Sequence, residues 1–218
     1  MAVPHHLWPD RWTAGIALAE RLQRWRDGSD TTTVIGLPRG GVAVAAAVAQ
    51  QLHLPLHCWA VRKLASPEEP EFALGAIASG GSVVWNPAAM ARTPLSRVEQ
   101  ERLIAAAMPE LLRRQRLFGE ARPTDLCGRD VIVIDDGIAT GMTVRAALLA
   151  LRRSQPAHLV LAVPVVDAEL VDALRPLVDE LVAVIAVPGL YAVGAFYDDF
   201  DQLSDADVQA LLGLRPEA

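Results

Sequence analysis

The sequence predicts an α/β protein with three layers, in which helices cover both faces of a mostly parallel central sheet. Short apolar runs that suit buried strands alternate with amphipathic or alanine-rich stretches that suit helices. Several strands are followed by loops rich in Gly, Asp and Arg, as expected where parallel strands end beside a ligand. The chain has 218 residues and is 52% hydrophobic, which is enough for a full core. We therefore expect one domain over residues 1–218, with its core at about 30–187.

The first predicted element is a helix over residues 10–26. Asp10 is a suitable N-cap, because its side chain can accept a hydrogen bond from a free amide of the first turn. We expect the apolar side of the helix to cover the sheet. This side is formed by Trp12, Ile16, Ala19 and Leu22.

The next unit is a strand, a loop and a helix. A short strand is predicted over residues 33–37, and an Ala/Val-rich helix is predicted over residues 42–52. Between them lie Pro38, Arg39, Gly40 and Gly41, a basic and glycine-rich turn.

A second strand is predicted over residues 56–61, with Arg62 and Lys63 directly at its end. The pattern then changes over residues 64–94. Residues 66–71 are charged and turn-like, and residues 72–86 alternate around a Gly-Gly pair, as a hairpin does. We interpret this region as an insertion hairpin.

A long helix is predicted over residues 95–119. Ser96 is the expected N-cap, and Glu99 completes a capping box. Three basic residues near its end fit a solvated helix face better than a ligand site. They are Arg113, Arg114 and Arg116.

The remaining strands are predicted at residues 131–134, 158–165 and 180–187. Helices are expected from Thr143 onward and over residues 167–174, which completes the alternation of a doubly wound sheet. The segment 188–218 is rich in Gly and aromatic residues and contains a polar helix at about 204–212. We expect it to form a hood over the site.

The run at residues 131–143 carries the clearest chemistry. Asp135 and Asp136 follow the buried strand and can accept hydrogen bonds from the hydroxyls of a ribose. Thr140 and Thr143 supply hydroxyls for phosphate oxygens, and a helix N-terminus offers free amides. Small residues at positions 137, 139 and 141 keep side chains out of the concavity. A strand that ends in two acids also occurs in response-regulator-like domains, but the Gly-x-x-x-Gly-x-Thr continuation favours a phosphate site.

Two other phosphate-binding patterns are absent from the sequence: G-x-G-x-x-G and the Walker A motif. Residues 131–143 instead resemble the PRPP-binding signature of type I phosphoribosyltransferases, which holds ribose and its 5′-phosphate. The motifs PRGGV, VRKL, GAIASGG and VGAFYDDF are similar to those of a bacterial branch of predicted phosphoribosyltransferases. The resemblance covers about residues 33–187 and implies a parallel sheet with an antiparallel edge strand, an insertion hairpin and a C-terminal hood.

The resemblance also implies roles for individual residues. Asp135 and Asp136 would hold the ribose, and Lys63, or Arg62 in its place, would reach PRPP as a catalytic basic side chain. The aromatic residues of the hood would stack on an acceptor base, although they could equally seal the hood against the core. The 5′-phosphate loop would comprise Gly137, Ile138, Ala139, Thr140, Gly141 and Thr143; the pyrophosphate loop Arg39, Gly40 and Gly41; and the hood Tyr191, Phe196 and Tyr197.

The implied activity is transfer of phosphoribose from PRPP to a nitrogenous base or amine, with release of pyrophosphate. Mg²⁺ would bind through PRPP rather than in a protein cage. A PRPP-sensing regulator without turnover is the alternative, and a PRPP synthetase-like enzyme would need a second related domain and an ATP site. The acidic segment 66–71 departs from the family pattern; it could contact a cationic acceptor or fold away from the site.

Composition limits the partners. The net charge of −6 and the pI near 5.3 argue against nucleic-acid binding. The sequence contains no run of about 18 apolar residues, the length needed to span a membrane, and we expect no signal peptide. Cys58 and Cys127 are expected to be reduced and buried. We therefore expect a cytoplasmic protein that binds small molecules and could form a homo-oligomer.

Overall fold

A computed structural model describes residues 6–66 and 72–214. Its strands are β1 Thr32–Gly36, β2 Leu56–Cys58, β3 Val61–Ala65, β4 Ala73–Ala78, β5 Ser82–Trp85, β6 Asp130–Ile134, β7 His158–Asp167 and β8 Glu180–Val187. Its α-helices are α1 Arg11–Arg21, α2 Gly40–Leu52, α3 Pro87–Arg92, α4 Arg97–Leu117, α5 Pro123–Leu126, α6 Met142–Arg152, α7 Ala168–Leu174 and α8 Asp205–Leu211. No helix among the described residues is long and apolar enough to cross a membrane.

The central sheet has five strands in the order β2-β1-β6-β7-β8, and every neighbouring pair is parallel. Strands β1 and β6 run side by side from Thr32 opposite Asp130 to Gly36 opposite Ile134. This register brings the loops that follow the two strands together at one edge of the sheet. The predicted α/β fold with a mostly parallel sheet is confirmed.

The antiparallel strands differ from the prediction in their place. They form a separate sheet in the order β3-β4-β5, rather than an edge strand of the central sheet. The strand expected over residues 56–61 is also wrong, because β2 ends at Cys58 and Val61 already begins β3. The backbone of Ala60 leaves the central sheet: its N–H donates to Glu120 at 2.9 Å and its carbonyl accepts from the Ser79 amide at 2.9 Å.

Helices cover both faces of the central sheet. Helices α1 and α2 pack on one face, and α6 with α7 on the other. The predicted apolar side of α1 is partly wrong, because Trp12 and Ile16 are 37% and 36% exposed. Small residues face α2 instead: a Cβ on Gly15 would lie 2.6 Å from Ala47 Cβ. This close approach of the two helices leaves Trp12 and Ile16 on the outer side of α1, whereas Ala19 and Leu22 are buried as predicted.

The small antiparallel sheet lies between α6 and α4. The predicted hairpin is present as β4 and β5, and its turn uses Gly80 and Gly81 at φ +77° and +76°. The capping box of α4 is confirmed, with the Ser96 amide donating to Glu99 at 2.8 Å. Of the charged segment 66–71, residues 67–71 lie outside the described residues.

Residues 188–214, the described part of the C-terminal segment, fold back over the carboxyl edge of the sheet. The segment contains a 3-10 helix, Val193–Phe196, and α8, which begins with a second capping box at Ser204. It packs with Trp8 and Val187 in a hydrophobic cluster. Elsewhere Cys58 is buried as expected, whereas Cys127 is exposed because it follows the short helix α5 at the surface.

Candidate active site

A cavity of about 790 Å³ opens at the carboxyl edge of the central sheet. The loops after β1 and β6, the strand β3 and the C-terminal segment form its walls. Most of the residues singled out from the sequence meet here. They are Arg39, Gly40, Arg62, Lys63, Asp135, Asp136, Gly137, Ile138, Ala139, Thr140, Gly141, Thr143 and Tyr191.

The two acids at the end of β6 have different environments. Asp135 accepts a hydrogen bond from the Asp136 amide at 2.9 Å. The Oδ2 atom of Asp136 accepts from Arg11 Nε at 2.8 Å. Within the described chain, one oxygen of each carboxyl group has no hydrogen-bond partner. Two acceptor atoms are therefore open to a ligand.

The electrostatics of the pair follow from burial. Burial raises the pKa of Asp135 well above its usual range, and the neighbouring charge of Asp136 raises it further. Burial also raises the pKa of Asp136, but the hydrogen bond from Arg11 opposes the rise. Asp135 is thus the acid of the pair that accepts a proton more readily.

Arg11 is a site residue that sequence reasoning missed. Besides its bond to Asp136, it donates to the Asp201 carbonyl at 3.0 Å and lies over the Phe200 ring, 3.8 Å from the centroid. Its side chain is 11% exposed. The sequence placed Arg11 at the start of a helix expected to cover the sheet, and nothing in that pattern indicated that the helix begins at the cavity.

The loop after β6 is fixed to the neighbouring strand by one residue. The Ile138 amide donates to Val165 at 2.9 Å, and its carbonyl accepts from the Asp167 amide at 2.8 Å. Ile138 is 2% exposed. Its amide is therefore used within the fold, so Ile138 lines the cavity as an anchor of the loop and its N–H is not open to a phosphate.

The next five amides, at residues 139–143, are unpaired. No described residue accepts a hydrogen bond from them. They lead into α6 through Gly141, whose φ of +70° favours glycine. Position 137 is occupied by glycine for a reason other than the expected one. A Cβ there would lie 2.9 Å from a methyl of Val165 and closer still to Val193. The hood, rather than space for a ligand, requires glycine at position 137.

The loop after β1 packs directly on the acid pair. A Cβ on Gly41 would lie 2.8 Å from Asp135 Cα, and one on Gly40 would overlap the Asp136 carboxylate. Gly41 therefore packs against the acid pair but does not line the cavity. The peptide bond from Pro38 to Arg39 is cis. The Arg39 side chain is 25% exposed, and its Nη1 is 3.9 Å from an oxygen of Asp205.

The basic side chains reach the cavity by routes that differ from the prediction. Arg62 and Lys63 lie inside β3 rather than at the end of a parallel strand. Arg114 also lines the cavity, with a side chain 17% exposed that donates to Glu110 at 2.9 Å. Its assignment to a solvated face was wrong. Arg114 continues the buried side of α4 after Ala107 and Leu111, and this spacing was the available signal.

The aromatic residues of the hood divide into two groups. Tyr191 is 98% exposed and stands at the cavity wall. Phe196 and Tyr197 are 1% and 2% exposed and belong to the hydrophobic cluster under the hood. The Tyr197 hydroxyl donates to the Asp136 carbonyl at 2.6 Å, and burial raises the pKa of this phenol. These two rings therefore seal the hood instead of facing a base.

Comparisons with known proteins agree with this geometry. Residues 10–176 match the family model of the phosphoribosyl transferase domain. Two Mycobacterium tuberculosis proteins, from strains H37Rv and CDC 1551, have names that contain "phosphoribosyl transferase" and are 40% identical over 208 residues. These residues are 94% of this chain but 46% of each relative, so the chain spans about half the length of these relatives.

One solved structure is similar over almost the whole chain. The crystal structure of TT1426 from Thermus thermophilus is 40% identical, covers 94% of this chain and 97% of its own, and superposes with a TM-score of 0.73. The family match includes both glycine loops and the acid pair. The chain belongs to the phosphoribosyl transferase domain family.

Proposed function

We propose that the protein transfers phosphoribose from PRPP to a nitrogenous base or amine and releases pyrophosphate. One observation carries this proposal: two carboxyl groups, each with an open oxygen, stand beside five consecutive unpaired amides in one cavity of the described chain. Carboxylates accept from ribose hydroxyls, and amides at a helix N-terminus donate to a phosphate. A ribose 5-phosphate unit needs both groups at neighbouring positions.

The remaining cavity residues fit the rest of PRPP. Arg39 and Lys63 lie at the same cavity and would neutralise the pyrophosphate as the bond to C1 breaks. The open oxygens of Asp135 and Asp136 would hold the ribose hydroxyls and oppose the positive charge that grows on the ribose ring. Tyr191 and the hood would exclude water and contact the acceptor. Catalysis would then come mainly from positioning and electrostatics.

The donor set also fits Mg²⁺ carried by the substrate. Asp135 and Asp136 each keep one oxygen without a hydrogen-bond partner in the described chain. Mg²⁺ retains several waters and binds through one or two carboxylates together with phosphate oxygens. The ion would supply positive charge at the pyrophosphate, and Asp135 and Asp136 are the protein groups that would contact its shell.

We further propose a cytoplasmic protein.

The test combines binding and turnover. Isothermal titration with PRPP and Mg²⁺ should give saturable binding, and pyrophosphate release should appear with at least one member of a panel of purine, pyrimidine and pyridine bases and amines. The double variant Asp135→Asn with Asp136→Asn should abolish both while the far-UV circular dichroism remains that of a folded protein. Absence of PRPP binding would refute the proposal. Binding without pyrophosphate release across the panel would favour the PRPP-sensing alternative.

A further inference from the structure

Arg11 connects three parts of the molecule that are distant in sequence. It begins α1, its Nε donates to the Asp136 carboxylate at 2.8 Å, and its guanidinium lies 3.8 Å from the Phe200 ring centroid. Its Nη1 donates to the Asp201 carbonyl at 3.0 Å. One side chain therefore contacts both the acid pair and the hood.

We propose that Arg11 is a positioning residue that fastens the hood segment at residues 200–201 to the carboxylate of Asp136 and fixes that carboxylate for ribose binding. The inference rests on the proposed function for its ligand, but the contacts themselves involve protein atoms alone. Arg11 would act through Asp136 and the hood rather than by touching the reacting atoms.

The geometry predicts the direction in which the removal of Arg11 changes PRPP affinity. Arg11 holds Oδ2 of Asp136, and Gly40 leaves no room on that side for a Cβ. The other oxygen, Oδ1, is the one left open. An Arg11 that merely competed with the ribose for Asp136 would weaken PRPP binding, and its removal would tighten it. An Arg11 that orients the carboxylate has the opposite effect, because its removal lets the carboxyl group turn away from the ribose.

The bond joins two side chains that are 11% and 16% exposed, so water does not readily replace it. A hydrogen bond to a charged group contributes about 1.5–3 kcal/mol, which corresponds to about 10- to 150-fold in affinity. We expect Arg11→Met to weaken PRPP binding by about that factor. Arg11→Lys retains the charge but cannot stack and donate to two sites at once, and it should recover part of the loss. Arg21→Met, at the exposed end of the same helix, should bind as the wild type does.

A double-mutant cycle separates positioning from general damage. The effects of Arg11→Met and Asp136→Asn on PRPP affinity should not add, because both break one contact. Those of Arg11→Met and Asp135→Asn should combine more nearly independently. Equal or tighter PRPP binding by Arg11→Met, or full additivity with Asp136→Asn, would overturn the inference while the proposed function stood.

A ligand-free measurement keeps the two claims distinct. Hydrogen exchange followed by mass spectrometry should show faster exchange at residues 198–203 in Arg11→Met than in the wild type, with α6 unchanged. This readout does not require PRPP. Unchanged exchange at the hood would refute the fastening role even if PRPP bound, and failure of the wild type to bind PRPP would refute the proposed function alone.

Discussion

Replacing Asp135 by the isosteric Asn should increase the thermal stability of the protein, whereas the same change at Asp136 should not give this gain. In Asp135→Asn the amide oxygen can still accept from the Asp136 N–H at 2.9 Å, so no hydrogen bond is lost. The substitution removes a buried acid whose pKa is raised by burial and by Asp136. We expect Asp135→Asn to be more stable than the wild type at pH 8 by about 0.5–2 kcal/mol, the usual gain from one stabilising substitution, or roughly 1–8 °C in Tm for a chain of this size.

The gain should depend on pH in a defined direction. Below the ordinary pKa of an aspartic acid, Asp135 is protonated in both folded and unfolded chains, and its contribution to stability is fully present. As the pH rises through the raised folded pKa, the folded chain must either hold the proton or bury the charge, and stability is lost. The Tm difference between Asp135→Asn and the wild type should therefore vanish near pH 4 and increase toward pH 8.

Asp136→Asn is the matched comparison. Arg11 then loses an anionic partner at 2.8 Å, which costs about 1.5–3 kcal/mol. We expect this variant to be less stable than Asp135→Asn by that amount, although both should bind PRPP more weakly than the wild type does. Differential scanning calorimetry from pH 4 to pH 8 measures all three proteins. A lower Tm for Asp135→Asn than for the wild type at pH 8, or a difference independent of pH, would refute the reasoning.

Three further substitutions test other contacts of the cavity. Gly40→Ala should weaken PRPP binding at least tenfold in calorimetric titration, since the new methyl overlaps the carboxylate of Asp136; wild-type affinity would contradict the contact. Arg114→Gln should raise KM for PRPP or lower kcat severalfold, whereas Arg116→Gln, on the exposed side of α4, should do neither. Identical kinetics for the two variants would show that Arg114 has no role in the site. Tyr197→Phe should lower the free energy of unfolding by about 1–2 kcal/mol in urea, because the hydroxyl donates to a backbone carbonyl at 2.6 Å; an unchanged value would show that water replaces this bond.

The sequence was sufficient where local pattern and structure depend on the same few residues. The capping box at Ser96, the hairpin at Gly80 and the strand before Asp135 each follow from contacts between near neighbours. The acid pair and the glycine loop could be found because they stand in one continuous run, residues 135–143.

The rest depended on contacts between distant segments. The exit of the chain from the central sheet at Ala60 requires Glu120, sixty residues later. The exposed position of Trp12 follows from the close packing of Gly15 on α2. Arg11 meets Asp136 across 125 positions. Hydrophobic periodicity records none of these pairings, because it reports burial and not the identity of the neighbour.

The central claim is that the loop after β6 binds the ribose 5-phosphate part of PRPP, and a crystal structure of the protein soaked in PRPP and Mg²⁺ tests it most directly. The account predicts the 5′-phosphate within about 3 Å of the amides at residues 139–143, with ribose hydroxyls on Asp135 and Asp136. A loop that stays empty at saturating PRPP, or a phosphate bound elsewhere in the cavity, would contradict it.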